Sequence, residues 1–111
     1  MQTTIQHLYK PSNDDNSLFY AWFLAMHTRV DIILCSRKSE GELLLVVNRI
    51  YDALCRLEKM ANFYNPASEL SVVNRTAFVS PVVLSEELYS MIDLCLEYNS
   101  KTLGCFDVTV H

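Results

Sequence analysis

The pattern of apolar and polar positions predicts strands at the beginning of the chain and helices after them. Residues 18–26 are dense in aromatic and aliphatic side chains, and residues 30–35 are rich in β-branched ones. Both segments predict strands, joined near His27. From residue 40 to about residue 60, apolar side chains recur at helical spacing with charged residues between them. This periodicity predicts one long amphipathic helix.

Capping residues give the predicted helices their boundaries. A capping box that begins at Ser39 precedes the long helix. Ser68 predicts the N-cap of a short helix that starts at Glu69. Ser85 predicts the N-cap of a further helix, and Gly104 suits its C-terminal end. The chain between these elements is expected to form turns and loops.

The order of the predicted elements indicates an α+β fold. Residues 106–110 predict the start of another strand, so the order is β-β-α-α-α-β. We expect antiparallel strands at the N-terminal end, with the long amphipathic helix and a second helix packed on one face of the sheet. Residues 1–17 are polar and are predicted to be a flexible lead-in. Residues 18–111 are predicted to form a single α+β domain.

Composition and charge narrow the functional classes. The chain has 111 residues, 50% of them hydrophobic, and a net charge of -4. One domain at most is expected at this length. No basic stripe is present, which argues against nucleic acid as a partner. The longest apolar run is much shorter than the roughly 20 residues of a membrane span. Without a signal peptide or lipoprotein signal, a cytoplasmic location is predicted.

The cysteines and histidines do not suggest a site. The cysteines lie in apolar contexts without a Cys-x-x-Cys pair, and we interpret them as buried free thiols, with disulfides or a metal site as the alternative. The histidines have no spacing typical of metal ligands. These residues are Cys35, Cys55, Cys95, Cys105, His7, His27 and His111.

Two polar-aromatic segments are the candidates for chemistry. Phe63 and Tyr64 lie in a turn beside Pro66, where they could stack on a planar ligand. The alternative is that both rings pack against the long helix. Asp107 follows an aromatic residue after a helix, a position that is also typical of a turn or a cap.

Together these segments resemble the N-terminal part of a known family. Residues 62–74 follow the pattern x-x-Tyr-x-Pro-x-Ser-Glu-Leu-Ser-x-x-Asn, and residues 104–110 follow Gly-x-Phe-Asp-x-Thr-Val. In this order they resemble the ApbE family, the FAD:protein FMN transferases. Residues 26–32 are similar to the Met-Gly-Thr-x-x-x-Ile segment of that family, with His27 at the position of its glycine. That position favours glycine if its φ is positive.

The resemblance implies where a flavin would bind. Tyr64 matches the tyrosine that borders the flavin, and Asp107 matches the aspartate at the nucleotide-binding cleft. Asn62 stands where the family usually has serine, and its amide can still form hydrogen bonds. These three residues are therefore the predicted cofactor-binding residues for FAD. No catalytic residue and no metal ligand is predicted in this chain.

The resemblance also implies a reaction. Members of the family use Mg²⁺, cleave FAD and attach FMN to a Ser or Thr of a target flavoprotein. Their metal-binding Asp and Thr, and most of the adenosine pocket, lie in a C-terminal part that this sequence does not include. We therefore expect an incomplete ApbE-like domain that does not complete the transfer alone.

Two alternatives stay open at this point. One is a non-catalytic module that binds flavin or another nucleotide, as one half of a split site. The other is an oligomeric α+β scaffold in which the motif is only structural. Because residues 106–110 would form an exposed edge strand, we also expect self-association, most simply as a two-fold homodimer.

Overall fold

The computed structural model describes residues 4–13 and 16–109. Strands precede helices along the described chain, and their bounds are β1 Gln6–Lys10, β2 Ser17–Ala25, β3 Thr28–Ser36, α1 Glu40–Ala61, α2 Glu69–Thr76 and α3 Glu86–Lys101. An antiparallel sheet with helices is an α+β fold, as the sequence predicted. The chain divides into two compact units, Met1–Glu58 and Lys59–His111. The prediction of a single domain over residues 18–111 stays a prediction.

The first unit is built on a sheet with strand order β1-β2-β3. Side chains of β2 alternate between the faces of the sheet, and Phe19, Ala21, Phe23 and Ala25 are buried on one of them. Helix α1 covers this face, since its Leu43 and Val47 belong to the same buried cluster. The core of the unit therefore lies between one face of the sheet and one stripe of the helix.

The prediction of a flexible lead-in over residues 1–17 is wrong for residues 6–10, which form strand β1. Residues Gln6–Lys10 pair with β2 in antiparallel register instead of forming a flexible segment. The His7 ring stacks on Phe19 at 5.0 Å between centroids, and the Tyr9 hydroxyl donates to the Ser17 hydroxyl over 3.2 Å. The exposed side of β1 is mainly polar, which hid a strand of only 5 residues from the hydrophobic pattern.

The turn between β2 and β3 has an unusual backbone. Met26 and His27 connect the paired residues Ala25 and Thr28, and their φ angles are 55° and 58°. Positive φ at both positions is the pattern of a type I′ hairpin turn, which matches the twist of the strands. Neither residue is glycine or asparagine, so the turn stores backbone strain. The backbone amide of Met26 donates to Glu58 of α1 over 3.4 Å.

In the second unit, serine caps set the starts of α2 and α3. Ser68 accepts a hydrogen bond from the amide of Ser71, and Ser85 accepts one from the amide of Leu88, as the sequence predicted. The cap at the start of α1, in the first unit, is also present: the Ser39 hydroxyl accepts from the amide of Glu42 over 3.3 Å.

Helix α3 ends in a Schellman motif. The amide of Gly104 donates to the carbonyl of Asn99 over 2.8 Å, and the amide of Leu103 donates to Ser100 over 3.2 Å. The φ angles of Leu103 and Gly104 are 54° and 86°. Gly104 therefore takes part in the helix end as predicted, while the first left-handed position is taken by Leu103.

The prediction of a strand over residues 106–110 is wrong for residues 106–109, the part of this segment that the structure describes. Residues Phe106 to Thr109 form bends and turns. Phe106 is held against the end of α3, because its amide donates to the Thr102 hydroxyl over 2.9 Å and its carbonyl accepts from the Asn99 amide group over 2.8 Å. Local hydrogen bonds thus replace strand pairing at this point, and Val110 lies outside the described residues.

The cysteines are free, and two of them are exposed to solvent. The prediction of free thiols is confirmed, but Cys35 and Cys105 are exposed rather than buried. Their apolar sequence neighbours suggested burial. The prediction failed because a strand or turn can expose one residue beside a more buried one. Within the part of the chain that the structure describes, no helix combines the length and apolar composition that crossing a membrane requires.

Candidate functional site

The loop between α1 and α2 is held by its own asparagines. The Asn62 side-chain oxygen accepts from the amide of Tyr64 over 3.0 Å. The Asn65 side-chain oxygen accepts from the amide of Ala67 over 2.9 Å. These are successive Asx turns, in which an asparagine substitutes for a backbone acceptor. Asn62 therefore fixes the backbone at the residue that carries the Tyr64 ring.

Two serines of the motif attach this loop to α2. Ser68 is 2% exposed, and its hydroxyl donates to the Asn62 carbonyl over 2.7 Å while accepting from the Ser71 amide over 3.1 Å. Ser71 is 7% exposed, and its hydroxyl donates to the Phe63 carbonyl over 3.2 Å. Both hydroxyls are buried and engaged within the protein, so their role is to position the loop.

The motif glutamate joins α2 to the start of α3. The Glu69 carboxylate accepts from the Ser85 hydroxyl over 2.5 Å and from the Ser85 amide over 3.0 Å. An acceptor at a helix N-terminus satisfies a backbone donor that has no partner in the helix. Glu69 therefore orients one helix against the other within the second unit.

The ring of Tyr64 projects from this rigid loop into solvent. Its side chain is 87% exposed, and its ring meets the edge of Phe63 at 5.2 Å between centroids and 87° between planes. The exposed face borders an open depression of about 260 Å³. We call this depression the Tyr64 concavity, and its lining residues are Phe63, Tyr64, Pro66, Ser71, Asn74 and Arg75. An exposed aromatic face next to amide and guanidinium groups suits a planar polar ligand.

Asp107 lies in the turn that follows α3. Its Oδ1 accepts from the Thr109 hydroxyl over 2.6 Å and from the Thr109 amide over 2.9 Å. These bonds stabilise the carboxylate and lower its pKa, the hydroxyl bond contributing most. The other oxygen of this exposed carboxylate stays available to a ligand.

The structure brings together part of the predicted flavin-binding set. Asn62 and Tyr64 are joined by a direct hydrogen bond. The hydrogen bonds of Asp107 go to Thr109, and within the described residues none connects it with Asn62 or Tyr64. Asp107 has the local role of a turn former, which was the alternative interpretation of this carboxylate in the sequence.

Arg75 is the residue of the concavity that the sequence analysis missed. It is exposed, it lies directly after the last motif position, Asn74, and its guanidinium donates to the Pro66 carbonyl over 2.8 Å. Helical spacing offered the signal, because residues three and four positions after Ser71 lie on the same face of α2. The pattern of the motif ends at Asn74 and so did not point to the next residue.

A second depression lies at the β2–β3 hairpin in the first unit. It measures about 540 Å³ and is lined by Leu24, Ala25, Met26, His27, Thr28, Arg29 and Glu58. Among residues 4–13 and 16–109, no group of at least 3 His, Cys, Asp or Glu side chains is placed to hold a metal ion.

Comparisons with known proteins place these motifs in one family. A sequence model of the ApbE family matches residues 26–111, which include the β2–β3 turn, the asparagine loop and the Asp107 turn. Comparison with curated proteins gives no match, and comparison with solved structures gives none either.

Proposed function

The chain belongs to the ApbE family, and we propose that it binds a flavin nucleotide at the Tyr64 concavity. On this proposal it acts as the N-terminal part of an FAD:protein FMN transferase. The observation that carries the proposal is the ring of Tyr64, which is 87% exposed on a loop fixed by hydrogen bonds. The same residue matches the motif tyrosine that borders the flavin in this family.

A fixed backbone under the aromatic ring favours binding because the loop loses little freedom when the ligand arrives. The loop under Tyr64 is already ordered by bonds from Ser68 and Ser71 to backbone carbonyls. Stacking of two aromatic systems contributes about 0.5–1.5 kcal/mol beyond the area that it buries. The isoalloxazine of a flavin is planar and aromatic, so it can stack on the exposed ring of Tyr64.

The other two predicted residues receive narrower roles. The side-chain oxygen of Asn62 is engaged by the Tyr64 amide, so we propose that Asn62 positions the ring. Thr109 occupies only Oδ1 of Asp107. We propose that Oδ2 accepts a hydrogen bond from a hydroxyl of the nucleotide, as the resemblance to the family suggests.

The metal of the family reaction has no proposed ligand here. Family members transfer FMN from FAD with Mg²⁺, an ion that prefers carboxylate and other oxygen ligands. The described residues do not bring together three His, Cys, Asp or Glu side chains that could hold such an ion. We propose that the 111-residue chain binds flavin and needs further residues for transfer to a target flavoprotein.

A titration with FAD, followed by flavin fluorescence with and without Mg²⁺, tests the proposal. We expect saturable binding that Tyr64→Ala weakens by roughly 10-fold, the equivalent of one stacking contact. Tyr89→Ala is the matched control, because Tyr89 is 62% exposed on α3 and does not line the concavity. Equal affinity of wild type and Tyr64→Ala would refute the site, and absence of saturable binding would refute the function.

A transfer assay separates the full family reaction from binding alone. Purified chain, FAD and Mg²⁺ are incubated with a flavoprotein acceptor of the family, and covalent FMN is measured by the mass of the acceptor. We expect no transfer by the chain alone. Transfer at a rate above the protein-free control would refute this part of the proposal and leave flavin binding in place.

A further inference from the structure

The Tyr64 concavity contains a positive charge next to its aromatic ring. Arg75 and Tyr64 both line it. Tyr64 lies in the loop before α2, whereas Arg75 lies near the C-terminal end of that helix. The approach of Arg75 is fixed by its bond of 2.8 Å to the Pro66 carbonyl, which lies two residues after Tyr64. The cation and the ring are therefore presented by one hydrogen-bonded unit.

The charge of Arg75 is not compensated locally. Within the described residues, its hydrogen bond goes to a neutral carbonyl and no carboxylate forms an ion pair with it. By contrast, Arg29 is paired with Asp31 at 3.0 Å. The whole chain carries a net charge of -4, and a guanidinium without an acidic partner among the described residues gives the concavity a local positive charge. The bond to Pro66 uses only one N–H of a group with several donors.

The ligand chemistry follows from this pairing. An aromatic face selects a planar ring system, and a guanidinium selects a phosphate, to which it can donate two parallel hydrogen bonds. The concavity measures about 260 Å³, which is slightly less than the roughly 300–1,000 Å³ of ligand pockets, so it holds only part of a dinucleotide.

We propose that Arg75 binds the phosphate next to the ribityl chain of a flavin nucleotide and makes the site selective for FMN and FAD over riboflavin. This inference rests on the proposed function, since it assumes that the flavin lies at Tyr64. It assigns Arg75 a role in specificity that the motif does not include. Pro66 contributes by holding the guanidinium at the rim of the concavity through its carbonyl.

The test compares riboflavin, FMN and FAD on the same protein by flavin fluorescence. We expect Arg75→Gln to weaken FMN and FAD by roughly 10- to 100-fold, the value of a charge-assisted hydrogen bond, while riboflavin changes by less than about 3-fold. Arg75→Lys should fall between, because it keeps the charge and loses the paired donors. Arg49→Gln, an exposed arginine of α1, is the control and should change none of them.

A measurement on the unmodified chain makes the test independent of any mutation. Raising the salt concentration should weaken FMN binding and leave riboflavin binding nearly constant, since only the phosphate contact is screened. Equal losses for all three flavins in Arg75→Gln, with no salt dependence, would show that Arg75 only supports the loop, and the proposed function would stand. Absence of binding of any flavin to wild type would refute the proposed function and this inference together.

Discussion

Replacing Ser68 by alanine tests whether the motif serines support the fold. The hydroxyl of Ser68 is 2% exposed and accepts from the amide of Ser71 at the start of α2. It also donates to the carbonyl of Asn62 over 2.7 Å, at the beginning of the Tyr64 loop. Alanine removes both bonds, together with the 2.9 Å contact between the hydroxyls of Ser68 and Ser71, and adds no group that could replace them.

The magnitude follows from these two bonds. Loss of a serine N-cap costs about 1 kcal/mol. Loss of the hydrogen bond to the Asn62 carbonyl costs about 1 kcal/mol more. The carbonyl keeps a bond of 3.2 Å from the amide of Asn65, so it is not left entirely without a partner. We therefore expect Ser68→Ala to lower the free energy of unfolding by about 2 kcal/mol.

Urea unfolding followed by far-UV circular dichroism measures this difference. Ser90→Ala is the matched control, because Ser90 is exposed in the middle of α3 and alanine there should change stability by less than about 0.5 kcal/mol. Hydrogen exchange should also show faster exchange of the amide of Tyr64 in Ser68→Ala. A change no larger than that of Ser90→Ala would refute the structural role of this hydroxyl.

Three further predictions concern the hairpin, the Asp107 turn and the assembly. Relief of left-handed strain at φ 58° should make His27→Gly more stable by about 1 kcal/mol in urea unfolding, whereas His27→Ala should bring no gain. The pKa of Asp107 is lowered in the folded protein, so its ionised carboxylate stabilises the fold at pH values above the unfolded pKa. This stabilisation is lost as the pH falls through the folded pKa. From about pH 5 to about pH 2, the free energy of unfolding should therefore fall less in Asp107→Asn than in wild type. We also propose a homodimer that pairs through an outer strand of the sheet, β1 or β3, because residues 106–109 do not form the edge strand first expected; a monomer mass in sedimentation at high concentration would contradict it.

The helices were predictable because their signals are local. The prediction of a helix from residue 40 to about residue 60 agrees with Glu40–Ala61. Ser68 and Ser85 marked the starts of α2 and α3 correctly, since an N-cap depends on only the next few residues. Apolar spacing and capping together were enough to find these elements without tertiary contacts.

Two elements depended on contacts that the sequence pattern does not show. Strand β1 is stabilised by pairing with β2 and by the stacking of His7 on Phe19. These two residues are 12 positions apart in the sequence. Residues 106–109 look β-like by composition, yet Thr102 and Asn99 bind the backbone of Phe106 and hold it at the end of α3. Pairing with a neighbouring strand forms β1 despite its polar side chains, whereas local hydrogen bonds outweigh the intrinsic strand preference of residues 106–109.

The predicted site divides in the same way. The motif identified Asn62 and Tyr64, and the structure joins them by one hydrogen bond. Arg75 could not be found from the motif, because its position at the concavity depends on the fold of the preceding turn around Pro66. The binding of flavin by Asn62, Tyr64 and Asp107 stays a prediction, which the titrations test.

The hydrogen bonds of the motif separate residues that build the site from residues that can bind a ligand. The hydroxyls of Ser68 and Ser71 are buried and engaged with the loop backbone, and the carboxylate of Glu69 is engaged with Ser85. Tyr64 and Arg75 instead present a ring and a charge to the concavity. A loss of flavin binding in Ser68→Ala would therefore report disorder of the loop and should come with lower stability. A loss in Tyr64→Ala at unchanged stability would report a contact with the ligand, so affinity and unfolding free energy must be measured on the same variants.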